Sequence, residues 1–345
     1  EFTAGIVRAY IEHGMFNLPQ PLKIYSSGAL FRLERPQAGR FRQFHQINFE
    51  VFGEQSPVID AQIIQIFYSI LQELRIKNLI VEINSLGASC CRPYYKKLLV
   101  SYLRSRESSL CSDCRRRMKE NPLRILDCKE EKCQPVKIQA PQIVDHLCEN
   151  CKSHLKQVLE FLDELELPYR LNPYLVRGLD YYTKTVFEIF EDSEEGQREN
   201  ALGGGGRYDN LVKLLGGNDT PACGGAAGVE RKTRALKETA KKEASHPLPV
   251  QKIFLTQLGE LAKRRSLKLF EDFRKVKIPV AESFGKDSLK TQLRTADKMG
   301  VSFALILGQK EALEGTIIIR DMKTGKQETV KLEKAVKEMQ KRLKK

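Results

Sequence analysis

The sequence predicts an α+β protein: a β-rich domain interrupted by a helical, cysteine-rich insertion, then a smaller α/β domain at the C-terminus. Three observations predict it. Extended, aromatic-rich runs bounded by Pro and Gly fill residues 22–53, and β patterning resumes at Tyr169. Between them, over about residues 89–165, the texture turns helical and rich in Cys, Arg and Lys. After a charged, Pro-ended run from Leu236 to Val250, strand and helix patterns alternate to the end.

Taken in order, Lys23-Ile24-Tyr25 leading to Ala29–Glu34 reads as a strand. A polar loop at Arg35–Arg40 follows, and Phe41–Gly53 returns as a second strand. Apolar residues at helical spacing predict an amphipathic helix over Ile59–Leu74, and Leu79–Ile83 is a short strand. The insertion carries helical patterns at Tyr95–Arg104 and Ile143–Leu165. Strands are expected near Tyr169, at Thr185–Phe190 and at Ala201-Leu202. The last part alternates: strand Lys252–Thr256, helix Gly259–Lys275, strand Pro279–Ala281, helix Ser288–Met299, strand Phe303–Leu307, a strand near Thr316–Arg320 and a basic helix Leu332–Leu343.

The chain has 345 residues, of which 41% are hydrophobic and 30% charged, so it can bury a core and is not disordered as a whole. No run approaches the ~20 apolar residues of a membrane span. Glu1–Gly5 does not open a basic-then-apolar leader and has no initiator Met, so a cytoplasmic protein with missing upstream sequence is expected. Net charge is +14, and +11 of it sits in residues 251–345, where 23 Lys/Arg meet 12 Asp/Glu. A basic terminal domain points to a polyanionic partner; the plain alternative is an exposed, salt-bridged surface.

Four stretches are candidates for chemistry. Phe31-Arg32-Leu33-Glu34 with Arg40-Phe41-Arg42 mounts guanidiniums on one hairpin, and the guanidinium fork suits phosphate. On the returning strand Gln46, Asn48 and Glu50 share a face. Leu175–Tyr182 offers Arg177 before a glycine and a Tyr181-Tyr182 pair. Ala201–Asp209 holds four successive glycines, which let a substrate lie against the chain; the alternative is a flexible glycine loop with no ligand. It lacks the Lys-Ser/Thr of a P-loop and does not open a dinucleotide-binding βαβ unit. Gly224–Arg231 is a small-residue turn into a helix, with Arg231 in its first turn.

Together these stretches resemble the motifs of class II aminoacyl-tRNA synthetases, and of the histidyl-tRNA synthetase family in particular. Phe31–Glu34 with Arg40–Gly53 is similar to motif 2, and Leu175–Glu188 and Ala201–Val212 to the two histidine-specific motifs. Gly225–Arg231 resembles motif 3, and Ser288–Lys298 with Leu307-Gly308 resembles the family's anticodon-binding domain. The likeness implies a class II antiparallel sheet flanked by helices. Catalytic residues would lie at 1–88 and 166–237, around an insertion at 89–165. A linker at 238–250 would lead to an anticodon-binding domain at 251–345. It implies ligation of L-histidine to tRNA(His), with ATP and Mg²⁺, by a homodimer. The alternative is a non-catalytic relative: a histidine-sensing regulatory paralogue or an RNA-binding remnant.

By the same likeness Arg32 and Arg177 would clamp the α-phosphate and serve both catalysis and histidine binding. ATP would also meet Glu34, Arg40 and Arg231. Histidine would meet Glu1, Thr3, Gln46, Glu50, Tyr181, Tyr182 and Tyr208. Phe2 and Lys232 stand where the family carries Gly and an apolar residue, and no segment before Glu1 corresponds to motif 1.

Cys111-x2-Cys114, Cys128-x4-Cys133 and Cys148-x2-Cys151 pair up inside the insertion. Two C-x2-C pairs can supply the four ligands of one structural zinc, leaving two thiols spare, and six thiols could also hold a two-metal cluster. Ordinary reduced thiols and a redox role are the other readings. Cys90, Cys91 and Cys223 read as packed thiols.

Overall fold

The computed structural model describes residues 1–33, 41–192, 201–230, 253–285 and 287–343. The chain divides into two compact units, Glu1–Leu162 with Leu167–Ala240, and Asp163–Glu166 with Lys241–Lys345. No helix among the described residues is long and apolar enough to cross a membrane.

The first unit opens with α1 (Phe2–Glu12), a helix with no signal beyond its buried stripe of Thr3, Val7 and Tyr10. The hairpin β1 (Leu22–Phe31) and β2 (Gln43–Phe52) follows, then α2 (Pro57–Glu73) and β3 (Leu79–Ser85). The insertion contributes α3 (Arg92–Arg104), α4 (Ser112–Glu120), α5 (Gln134–Ile138) and α6 (Glu149–Glu164). The helix read from Ile143 starts later: Ile143–His146 is a 3-10 turn, and Leu147 breaks into extended backbone before α6. The unit closes with β4 (Tyr169–Leu171), β5 (Thr183–Glu191), β6 (Gly203–Arg207), α7 (Leu211–Leu214) and β7 (Ala222–Gly228).

Seven strands form one sheet in the order β1-β2-β7-β6-β5-β3-β4, antiparallel except for the β3–β4 pair. The antiparallel class II sheet expected from the motifs is therefore present. The glycine run at 203–206 is not a loop but a fully buried central strand. Glycine is disfavoured in strands, which is why the run reads otherwise, yet β5 and β7 pair with it on both sides.

The back of the sheet is covered by α2, buried almost all round. A Cβ on Gly225 would come within 2.6 Å of the Phe67 ring, so the missing side chain lets α2 lie close. Phe67 meets Phe49 edge-on at 5.4 Å between centroids and Phe187 at 6.3 Å. At the end of β6, Arg207 is fully buried and paired bidentately with Asp60 of α2; it also donates to the carbonyls of Glu54 and Ser56. His154 of α6 lies 3.4 Å from the same carboxylate. The insertion is no separate body, since Tyr95, Leu99, Leu123, Ile125 and Ile143 join one apolar core with Val7, Phe52, Val186 and Tyr208.

The second unit builds a sheet of five strands. Its elements are β8 (Ile253–Gln257), α8 (Glu260–Lys275), β9 (Val280–Glu282), α9 (Leu289–Lys298), β10 (Phe303–Leu307), α10 (Gln309–Glu314), β11 (Thr316–Asp321), β12 (Gln327–Lys331) and α11 (Ala335–Leu343). β8 runs parallel to β9 and β10, as strands joined through helices must, and β11–β12 add an antiparallel edge hairpin. Ile253, Leu255, Leu269, Phe273, Leu305 and Ile317 make a core of its own.

Candidate active site

A cavity of about 340 Å³ lies on the front of the first sheet. Register builds its floor. On β2, Gln46, Asn48 and Glu50 face forward and pair with Gly228, Ala226 and Gly224 of β7. Gly204 of β6 lies opposite Ala226, and Glu188 of β5 opposite Gly204. The two middle strands therefore carry nothing larger than a methyl group on this face, and larger side chains rise on either side as walls. A Cβ at Gly204 would stand 2.7 Å from the Arg177 guanidinium and 3.0 Å from the Glu188 side chain. At Gly224 it would collide with the Glu50 carboxylate.

The walls carry the charge. Arg177 is ion-paired with Glu188, and its Nε is buried without a partner, a spare donor. Arg32, at the end of the first hairpin, stacks over Phe44 with 4.8 Å between guanidinium carbon and ring centroid. Glu1 accepts a hydrogen bond from the Tyr181 hydroxyl at 2.7 Å. Glu230, at the mouth, accepts from the His45 amide at 2.6 Å and meets His45 Nδ1 at 2.8 Å.

Of the residues singled out by sequence, Glu1, Thr3, Arg32, Gln46, Arg177, Tyr181 and Tyr182 line this one cavity, although Glu1 and Arg177 lie 176 positions apart in the chain. Glu50 and Tyr208 sit a layer beneath. Glu50 is fully buried, accepts from Thr3 Oγ1 at 2.8 Å, and is hydrogen-bonded by the Tyr208 hydroxyl. Burial pushes its carboxyl up to about 7, against the hydrogen bonds from Tyr208, Thr3 and Asn48 that hold it down. Tyr208 packs edge-on against both Tyr181 and Tyr182. Glu34, Arg40, Arg231 and Lys232 lie outside the described residues. The Phe2 ring rests against Gly28 of β1, 3.2 Å from where a Cβ would stand there.

Sequence reading passed over Glu188 and Glu230, and it named Asn48 only for the strand face it shares with Gln46 and Glu50. Glu188 was detectable in principle, as a charged residue between Phe187 and Ile189 of a buried strand. The insertion grips the loop that carries Arg177 and the tyrosines. Arg124 donates to the Gly178 carbonyl at 2.9 Å, Asn121 to Asp180, and Arg92 to the Tyr182 carbonyl.

The cysteines form two groups of four. Cys111, Cys114, Cys128 and Cys133 are one; Cys90, Cys91, Cys148 and Cys151 are the other. Cys90 and Cys91 are thus not merely packed thiols, and the two C-x2-C pairs do not meet. The chain folds them to different places. Cys223 is fully buried on β7, as a packed thiol would be.

The chain is similar to known proteins over nearly its whole length. Residues 1–90 and 115–231 match the family model described as histidyl-tRNA synthetase, and residues 252–342 match the anticodon binding domain. The histidine–tRNA ligase of Dehalococcoides mccartyi is 43% identical over 99% of this chain and 81% of its own length. The chain belongs to the histidyl-tRNA synthetase family. Another member, the histidine–tRNA ligase of Aquifex aeolicus, is 46% identical over 96% of this chain and 79% of its own length. The crystal structure of apo S. aureus histidyl-tRNA synthetase superposes with a TM-score of 0.58 at 34% identity, covering 98% of this chain and 82% of that one. The anticodon-binding match falls on the second unit, where the excess positive charge was read.

Proposed function

We propose that this cavity activates L-histidine with ATP and that the chain then ligates it to tRNA(His). The observation that carries the reading is one trough lined both by two guanidiniums, Arg32 and Arg177, and by a hydrogen-bonded carboxylate–tyrosine pair, Glu1 and Tyr181. A zwitterionic amino acid fits such a trough in one direction. Its α-ammonium turns to Glu1 and Thr3, and its carboxylate toward Arg177. Tyr181 and Tyr182 border the imidazole, with Tyr208 and Glu50 bracing them from beneath. Partners at both ring nitrogens would discriminate against side chains that leave these groups unpaired.

In the first step the histidine carboxylate oxygen attacks the α-phosphorus, and the bond to pyrophosphate breaks. Charge builds on the α-phosphate oxygens. Arg177, held by Glu188 with its Nε unused, supplies fixed donors there, and Arg32 supplies a second guanidinium; this is stabilisation by charges already in place. Phe44, under Arg32, offers an apolar face for a purine. In the second step a hydroxyl of the terminal ribose attacks the adenylate carbonyl and AMP leaves. Mg²⁺ supplies charge neutralisation on the phosphates when ATP brings it. Glu188 and Glu230 are oxygen donors of the kind it takes, but Arg177 and His45 already engage them, so the nucleotide is its main ligand. With this reading go a homodimer, a cytoplasmic location and a second unit that meets the tRNA.

Histidine-dependent exchange of pyrophosphate into ATP, measured on the purified full-length protein, tests it. Arg177→Ala is expected to lower the exchange rate at least ~100-fold with the fold intact by circular dichroism. Exchange driven by a different amino acid, or none, would refute the reading.

A further inference from the structure

Eight of the nine cysteines gather into two knots within the insertion, and all nine are free thiols. In each knot the four sulfur atoms lie within 4.8 Å of one another. We propose that each knot binds one zinc ion through four thiolates, and that the two ions fix the insertion so that it can hold the loop bearing Arg177, Tyr181 and Tyr182.

The spacing supports a mononuclear tetrahedral ion. Zinc–sulfur bonds of about 2.3 Å place tetrahedral sulfurs ~3.8 Å apart. In the first knot Cys90–Cys148 is 3.0 Å, Cys90–Cys151 and Cys91–Cys151 are both 3.7 Å, and Cys90–Cys91 is 3.9 Å. In the second, Cys111–Cys128 is 4.0 Å. An iron–sulfur cluster has several metal atoms, and thiolates gathered this tightly leave no room for it.

The second knot also shows the amide arrangement that a thiolate rewards. The Cys111 N–H points at Cys133 Sγ at 3.2 Å, and the Cys114 N–H at Cys111 Sγ at 3.4 Å. Thiols are weak hydrogen-bonding groups, so four of them massed together gain little from each other. A hydrophobic residue would fill the same space better.

Placement supplies the consequence. The Cys90–Cys151 knot ties the chain before α3 to the start of α6, and Cys91 is followed directly by Arg92, which donates to the carbonyls of Leu86 and Tyr182. The second knot joins α4 to the irregular segment 121–133, whose Asn121 and Arg124 hold Asp180 and Gly178. Regular structure is sparse there: α4 has nine residues and is followed by 3-10 turns. Segments with so little regular structure draw folding energy from metal. The metal sites stand on the sulfur geometry alone; only the value of bracing this loop rests on the function proposed above.

Metal analysis tests the assignment, using protein purified under reducing conditions without chelator. Two zinc ions per chain are expected, one after Cys91→Ser, one after Cys133→Ser, and none in the double variant. A wild-type protein with no zinc or one, with iron instead, or with eight thiols lost to disulfides would overturn it. So would a Cys91→Ser protein that still holds two. Should the variants misfold, titrating the wild type with an organomercurial decides the matter: two ions should be released for eight thiols, and release out of that ratio refutes tetrathiolate sites. Bracing is read by hydrogen exchange. Removal of zinc should raise exchange at 174–182 at least ~10-fold, and unchanged protection there would overturn the bracing. Neither readout passes through catalysis, so the sites and the proposed function can fail separately.

Discussion

Glu50 has no exposed atoms, yet it is ionisable and sits beneath the trough. Its folded pKa of about 7 lies above the ordinary 4.5, so the native state holds this proton more firmly than the unfolded chain does. Ionised Glu50 therefore weakens the fold at and above pH 7, and that penalty disappears as pH falls toward 4.5. Relative to Glu50→Gln, the wild type should gain up to about 3 kcal/mol of unfolding free energy across that window, measured by urea unfolding at each pH. Asp60 behaves in the opposite sense: Arg207 and His154 hold its carboxyl well below the usual range against the effect of burial, so its contribution is lost only in strong acid. Asp60→Ala, which leaves Arg207 buried without its counter-charge, should cost about 3–5 kcal/mol. None of this is legible residue by residue. Arg207 and Asp60 lie 147 positions apart, and neither position announces that it will be buried.

At the scale of elements, periodicity made most strands and helices readable. The hairpin β1–β2, helix α2, strand β5 and the alternation from β8 to β10 follow patterns of two or 3.6 residues. The exceptions share one cause. β6 is made of four glycines and an arginine, β7 of small residues whose Gly224–Gly228 read as a turn, and the exposed edge strand β12 reads Gln-Glu-Thr-Val-Lys, so none shows a buried face in its sequence. Each is a strand because its neighbours pair with it. The site was legible to the extent that its residues fell in recognisable runs; Glu188, single and mid-strand, was not. Gly225→Ala should force Phe67 and α2 away from the sheet and lower stability by roughly 1–3 kcal/mol, seen as a lower urea midpoint. Replacing both Asn121 and Arg124 by Ala loosens the Arg177 loop without touching the trough, and should raise KM for histidine ~10-fold or more with a smaller change in stability.

For the molecule as a whole, two units with separate sheets and cores imply two folding events. Residues 251–345, expressed alone, should unfold cooperatively, because Phe273, Leu305 and Ile317 need no partner outside that unit. With net +11, the same piece should bind tRNA in a salt-dependent way, log K falling linearly with log salt concentration. A piece that neither unfolds cooperatively nor binds tRNA would show that this unit depends on the rest of the chain. Charge and family likeness marked the basic terminal part, on which the anticodon-binding match falls. They did not foretell that the insertion would share its core with the sheet, because which surfaces cover one another is a property of packing and not of pattern.

The trough floor of Gly204, Ala226 and Gly228 has a further consequence, for evolution and for engineering. A surface of peptide groups and one methyl has no rotamers to freeze and no titratable group, so the entropy lost on binding and the pH response of the site both arise in the walls and the layer beneath. Substitution in the floor can only obstruct. On the function proposed above, a change in which amino acid is accepted has to come from Glu1, Thr3, Gln46 and the tyrosines, or from the layer that supports them.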